Sequence, residues 1–390
     1  MDKTGFLAGR MKNVKPSPTL AMLSRAKELK KRGEPVLDFS VGEPDFDTPQ
    51  NIKDAAAKAM KDGFTKYTDP RGILELREAI AEKLRKENHI DTGAENIVVS
   101  HGAKHALFNV FQALCEKGDE VIIPAPYWVS FSEMVKLCEG TPVTLASKNL
   151  KFSADELREK ISTKTKLLVL NYPNNPSGVV YTKNELKKIA ELAVENNFFV
   201  ISDEIYERFI YTGETFTSFA SLGKEIADRT ITVNGVSKTY AMTGWRIGYL
   251  SAGKEIADAI SAAQGNASGN PNSIAQKAAL EAIMGPQDSV KKMISEFTKR
   301  REIIYKGFSQ INGFECEKPQ GAFYAFPNVS GCFGKNVKNS TGLASFLLDE
   351  LKIAAVPGID FGKEGFMRFS FATSTQTITE GIERLKQYFG

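Results

Sequence analysis

The feature that most constrains this chain is a rhythm. From about residue 95, short apolar runs alternate with amphipathic helical stretches. ENIVVS precedes the helical pattern AKHALFNVFQALCEKG, and VIIP precedes a helix over WVSFSEMVKLCE and the run PVTLA. ADELREKI leads to KLLVLN, TKNELKKIAELAVENN leads to FFVISD, and TITV and RIGYL follow. Continuously apolar strands must be buried on both faces, so the alternation predicts an α/β fold with a largely parallel sheet covered by helices. In such sheets ligands bind beyond the carboxyl ends of the strands, so the residues just after each apolar run become the candidates.

The texture changes after residue 285. A long charged helical pattern, VKKMISEFTKRREIIYKGF, precedes the short strands FYAFPN, IAAVPG and MRFSFA and a closing helix, which predicts a smaller α+β domain. The expected organisation is an amino-terminal segment (1–45) packing with the small domain, a large domain (46–285) and the small carboxy-terminal domain (286–390). Composition removes several function classes. The net charge is only +4 with both signs interspersed, so nucleic-acid binding has no electrostatic support. No apolar run approaches the roughly 20 residues of a membrane span. The polar start MDKTGFLAGRMK lacks the apolar core of a secretion signal, and the expected location is cytoplasmic. Cys115, Cys138, Cys316 and Cys332 have no metal-like spacing and read as free thiols. His89, His101 and His105 are the only histidines, which argues against zinc chemistry and a Ser-His-Asp hydrolase. No metal site is expected.

The strand ends supply Gly102-Ala103-Lys104, Tyr127-Trp128, Asn175, Asp203 and Tyr206, and Ser237-Lys238. Singly each is weak: an aspartate ending a strand is more often a cap or turn residue, NNPSG is a turn by composition, and most lysines are surface lysines. Together they describe a ligand. A small loop opening a helix offers amides and a dipole to a phosphate, and Ser237 and Arg246 can add donors to it. An aromatic residue can stack on a flat ring, a carboxylate can pair with a ring nitrogen, and a lysine can form a Schiff base with an aldehyde. A flat ring carrying phosphate, basic nitrogen and aldehyde is pyridoxal phosphate.

Eight stretches carry a specific resemblance: VGEPDFDTP, KYTDPRGILELREAI, PYWVSF, NYPNNPSG, SDEIYE, SKTYAMTGWRIGY, PQGAFY and MRFSFATS. Taken in order, the chain resembles the class I pyridoxal-phosphate-dependent aminotransferases, in their bacterial and plant aspartate aminotransferase branch, essentially end to end. The resemblance implies a fold-type I transferase: a large domain with a mostly parallel seven-stranded sheet covered by helices, plus a smaller α+β domain. It implies Lys238 as Schiff-base lysine and proton shuttle, Asp203 as partner of the ring nitrogen, Tyr206 and Asn175 at the ring oxygen, and Trp128 stacked on the ring. Ser237, Arg246 and the Gly102-Ala103-Lys104 backbone would hold the phosphate, with Tyr67 reaching the phosphate of a neighbouring subunit in a homodimer with shared active sites. Arg368 would grip the substrate α-carboxylate and Gly42 would approach it.

The implied reaction is a ping-pong transamination between L-aspartate or L-glutamate and 2-oxo acids. Lys104 and Thr19 resemble the pair that binds the distal carboxylate in this branch, and the same pair occurs in members that aminate prephenate. Trp128 and Asn175 would also face the substrate. To act as a base Lys238 must be neutral, so its pKa must lie well below that of free lysine, through burial and cations such as Arg246. A carbon–sulfur lyase or another aminotransferase of the same fold is the nearest rival. A ligand-sensing regulator would need a DNA-binding extension that the sequence does not contain.

Overall fold

The computed structural model describes residues 6–14, 18–335 and 337–390, excepting the side chains of 18–20. Seven strands form one sheet in the order Ile97–Ser100, Gly248–Ser251, Thr230–Gly235, Phe199–Asp203, Thr165–Asn171, Glu120–Ala125, Thr141–Ala146. Only Gly248–Ser251 runs against its neighbours, and the remaining pairings are parallel. The apolar runs are strands because both faces are covered: Leu168, Leu170 and Val200 pack into one cluster, and Val98, Val121, Ile201 and Ile231 into another. Helices Ala103–Leu114, Ser130–Leu137, Lys183–Glu195 and Lys254–Ala267 supply the facing side chains. Where the sequence carries a cap, the helix starts on it: Thr182 and Glu185 form a reciprocal capping box at Lys183.

Beyond helix Asp288–Phe308, a three-stranded antiparallel sheet has Met367–Ser370 between Val356–Pro357 and Tyr324–Ala325. Leu37–Asp38 pairs in parallel with Ile353–Ala354. Ala26 and Val36 share a small apolar cluster with Leu348 and Ala354, so helix Pro18–Lys31 and the residues after it lie on this part of the molecule, whereas the turn Gly9–Asn13 packs against helix Ser130–Leu137 of the large domain. The core here also takes Ile205, Tyr206 and Phe209, which follow a strand of the large sheet. Among the described residues no helix is long and apolar enough to cross a membrane.

The topology brings six strand ends to one edge of the large sheet: Ser100, Ala125, Ala146, Asn171, Asp203 and Gly235. The reversed strand begins there with Gly248, opposite both Ser100 and Gly235. A Cβ on Gly248 would lie 2.1 Å from the Ala103 backbone nitrogen, and one on Gly235 would lie 2.9 Å from Gly248 Cα. Three backbones therefore meet at the start of helix Ala103–Leu114, and only glycine allows the approach. Gly248→Ala should cost the unliganded chain about 1–3 kcal/mol in denaturant unfolding, the usual penalty for overpacking. An unchanged midpoint would show that the three segments can separate freely.

Candidate active site

At this edge lies a cavity of about 500 Å³. Its walls bring together eleven of the residues singled out from sequence. Ala103 and Lys104 come from the helix start, Trp128 and Asn175 from loops after two strands, and Asp203 and Tyr206 from a third strand end. Ser237, Lys238 and Arg246 come from the loop before the reversed strand, and Gly42 and Arg368 from the amino-terminal segment and the small sheet. Gly102 adjoins them with φ +87°, and a Cβ there would lie 2.4 Å from Arg246 Nη2. Tyr67 is not among the wall residues and is 97% exposed on this single chain. The Thr19 side chain lies outside the described residues. Seven wall residues were not singled out from sequence: the apolar or small Leu107, Ile205 and Gly244, and the polar Glu43, Asn171, Thr243 and Tyr324. All four polar ones fall inside motifs that were noted, but nothing in their spacing marked them individually.

Lys238 Nζ donates to the Gly42 carbonyl at 2.6 Å. Its pKa falls from 10.5 to about 8, chiefly through burial. Arg368 and Arg246 push it further down, while Glu43 and Asp203 push it up. The depression expected from burial and cations is present, and two carboxylates invisible as sequence neighbours oppose it. Asp203 rises to about 7 because it is buried, an effect moderated by the Ile205 amide at 3.3 Å and by the Lys238 charge. Tyr206 shares a 2.7 Å hydroxyl hydrogen bond with Tyr324. Burial and these neighbours hold the Tyr206 phenol far above its ordinary pKa, so it stays neutral.

Arg368 is 2% exposed. It donates from Nη1 to Asn175 Oδ1 at 2.9 Å and from Nη2 to the Ser40 carbonyl at 2.7 Å, and lies over the rings of Tyr324 and Phe361. Its Nε is buried without a hydrogen-bond partner. Arg246, at a left-handed φ of +57°, donates to the carbonyls of Thr243 (2.9 Å) and His101 (3.3 Å). Lys104 stands over the Trp128 ring at 4.8 Å, and burial and Arg246 lower its pKa. None of these four cations forms an ion pair among the described residues, although the surface carries many. Positive charge satisfied only by neutral oxygens and rings retains its attraction for an incoming anion.

These residues fit a phosphorylated ring. The cradle that a Gly102 Cβ would fill, the Ser237 hydroxyl and the Arg246 fork suit a phosphate. Lys238 and Asp203 face the same space, and Trp128 offers a flat wall. A second, open cleft of about 1130 Å³ shares Lys104 and Arg246 with the cavity and is also lined by His101 and His105. The two imidazoles meet edge to face at 5.0 Å, and burial lowers both pKa values, His105 to about 4.

Comparison with known proteins agrees. The model of the family described as aminotransferase class I and II matches residues 34–385. An aspartate aminotransferase of Bacillus sp. (strain YM-2) is 46% identical over 387 residues, covering 98% of this chain and 99% of its own length. A probable aspartate/prephenate aminotransferase of Aquifex aeolicus is 45% identical over 386 residues, 98% of each chain. Among solved structures, the aspartate aminotransferase of Thermus thermophilus with maleate has a TM-score of 0.93 at 40% identity, covering 98% of this chain and 99% of its own. The Rhizobium meliloti aspartate aminotransferase has a TM-score of 0.94 at 39% identity, over 98% of each chain. The chain belongs to the class I and II aminotransferase family. It is a transaminating enzyme, with the fold-type I architecture of its structural relatives.

The lowered lysine leaves a thermodynamic trace. Between about pH 8 and 10.5 the folded chain binds fewer protons at Lys238 than the unfolded chain, so its stability rises with pH there. Lys238→Ala removes that dependence. In unfolding of the unliganded proteins, the variant's stability advantage should be largest below pH 8 and shrink toward pH 10.5. A difference independent of pH would contradict the burial assigned to this amine.

Proposed function

We propose that the cavity binds pyridoxal 5'-phosphate and transaminates dicarboxylic amino acids, L-aspartate or L-glutamate, with 2-oxoglutarate or oxaloacetate. The observation that carries this reading is the convergence of Lys238, Asp203 and Arg368 on one cavity with the Gly102 cradle beside it. When bound, the cofactor supplies an aldehyde for amine capture and a ring that withdraws electrons from the substrate α-carbon. The chain's residues supply the rest. Ser237, Arg246 and the amides at Gly102–Lys104 hold the phosphate, and Trp128 stacks on the ring. Asp203 is the partner of the ring nitrogen. Charge on that nitrogen would draw the Asp203 carboxyl back below its raised value, as any adjacent cation does. Tyr206 and Asn175 address the ring oxygen. Lys238, with its nitrogen neutral above about pH 8, takes the proton from the α-carbon and returns it on the other side of the reaction. Arg368, oriented by Asn175, Ser40 and Tyr324, takes the α-carboxylate, beside the Gly42 backbone.

Lys104 is the cation placed to read the distal carboxylate. Support for this comes from its position in the cavity wall over Trp128 and from the relative solved with maleate, itself a dicarboxylate. Prephenate is also a dicarboxylic acid, and the relatives named aspartate/prephenate aminotransferase favour it as a second amino acceptor. A homodimer with shared sites is supported by the outward-facing Tyr67 and by the wide cleft beside Arg246, where a second subunit could approach the phosphate. The free cysteines suit a cytoplasmic, reducing setting.

Adding pyridoxal phosphate should give a coloured wild-type protein. Lys238→Ala should lose that absorbance and at least about a thousandfold in transamination rate. A colourless wild type would overturn the cofactor assignment. Lys104→Ala should lower kcat/KM for aspartate about ten- to a hundredfold, the value of a charged hydrogen bond, while sparing alanine. An unchanged preference for aspartate over alanine would move specificity elsewhere. Prephenate offered with glutamate tests the second acceptor directly.

A further inference from the structure

Glu43 is the wall carboxylate to which the reading above gives no task. It belongs to a segment, 42–48, that is tied at several points. Asp45 accepts from Arg300 Nη1 at 2.6 Å, and that guanidinium lies over the rings of both Phe46 and Phe297. Thr48 Oγ1 donates to the Ala241 carbonyl at 2.7 Å and accepts from Trp245 Nε1 at 2.9 Å. Within this frame Thr243 Oγ1 donates to Glu43 Oε2 at 2.5 Å. The carbonyl of the preceding residue, Gly42, receives Lys238 Nζ. A glutamate that would otherwise swing in solvent is held at the cavity by the loop that carries the lysine.

The charged surroundings of Lys238 can be counted by element. Asp203 comes from its strand end, Arg246 from the loop before the reversed strand, Arg368 from the small sheet, Lys104 from the helix start and Glu43 from segment 42–48. The phenols of Tyr206 and Tyr324 are neutral, both held above their ordinary range by burial. In the proposed reaction Asp203 is committed to the ring nitrogen. Among the described residues Glu43 is then the one wall carboxylate with no partner charge of its own, and it already opposes the desolvation of Lys238 more strongly than Asp203 does.

Resting on the cofactor reading, we propose that Glu43 is a positioning residue for the Lys238 proton: its negative charge, fixed by Thr243, favours the protonated lysine nitrogen and so sets the pH at which that nitrogen loses its proton. Glutamine at this position can still accept from Thr243, so charge and scaffold can be separated.

The test is the absorbance of the holoenzyme as a function of pH, which reports the proton on the lysine nitrogen once it is joined to the cofactor. At low ionic strength, Glu43→Gln should lower the titration midpoint by about half a unit, a roughly threefold change in the equilibrium. Thr243→Val, which frees the carboxylate without removing it, should shift the midpoint the same way by less. Asp47→Asn removes an exposed charge from the same segment, outside the cavity wall, and should leave the midpoint in place. An unmoved midpoint in Glu43→Gln overturns the proposal, as does an equal shift in Asp47→Asn, because the effect would then be general charge. A coloured wild type with an unmoved Glu43→Gln midpoint rejects this inference alone. A wild type that never colours rejects the cofactor reading and this inference with it.

Discussion

Removing an amine from water favours its neutral form, and the cavity is organised around that effect at Lys238. Burial lowers the lysine most, Arg368 and Arg246 add to it, and Glu43 and Asp203 hold it near 8. The neighbouring arginines spend their donors on carbonyls, an amide oxygen and aromatic faces instead of carboxylates. An arginine locked to a glutamate would have little left to offer a substrate carboxylate or a phosphate. Here the orphaned Nε of Arg368 records unused capacity, and a buried unpaired cation costs stability that bound anions return.

That charge arrangement depends on backbone geometry set several residues away. Gly248 and Gly235 let the reversed strand press against the helix start, which brings Arg246 and Ser237 to the same place as the Gly102 turn. Beneath the strand end, residues 203–207 serve opposite sides. Asp203 and Tyr206 face the cavity, whereas Glu204 accepts from Ser202, Ser218 and the Phe219 amide, and Glu207 accepts from Lys83 and Asn88. Two buried carboxylates satisfied by polar donors anchor the short stretch that carries Asp203, the residue proposed to face the ring nitrogen.

The large sheet was legible because its strands are apolar on both faces and its helices amphipathic, two patterns with different periods. The short strands of the small sheet were legible as runs, but their pairing was not: Leu37–Asp38 joins Ile353–Ala354 across more than three hundred residues, and no local pattern encodes such a partner. The same limit applied to the site. Lys238 and Asp203 announced themselves at strand ends, and Arg246 by its place in the same loop as Lys238. Tyr324 acts through a hydroxyl contact with Tyr206, and Glu43 through a loop 200 positions away. Such roles belong to pairs, and a pair is not written in either residue's neighbourhood. Tyr67 is the complementary case, since its expected partner would be another subunit.

The two cavity lysines show how environment suits one side chain to the two tasks proposed for it. Both are depressed first by burial, and Arg246 contributes to both. Lys104 keeps an aromatic face beneath it, which stabilises the cation without neutralising it. Lys238 instead donates to a neutral carbonyl and lies within the influence of two carboxylates and two arginines, so its proton is held by a balance of opposing terms. A cation meant to recognise a carboxylate needs a charge that does not depend on small changes nearby. A base needs the opposite, and the balance around Lys238 suits that proposed role, since burial, two arginines and two carboxylates all bear on its proton.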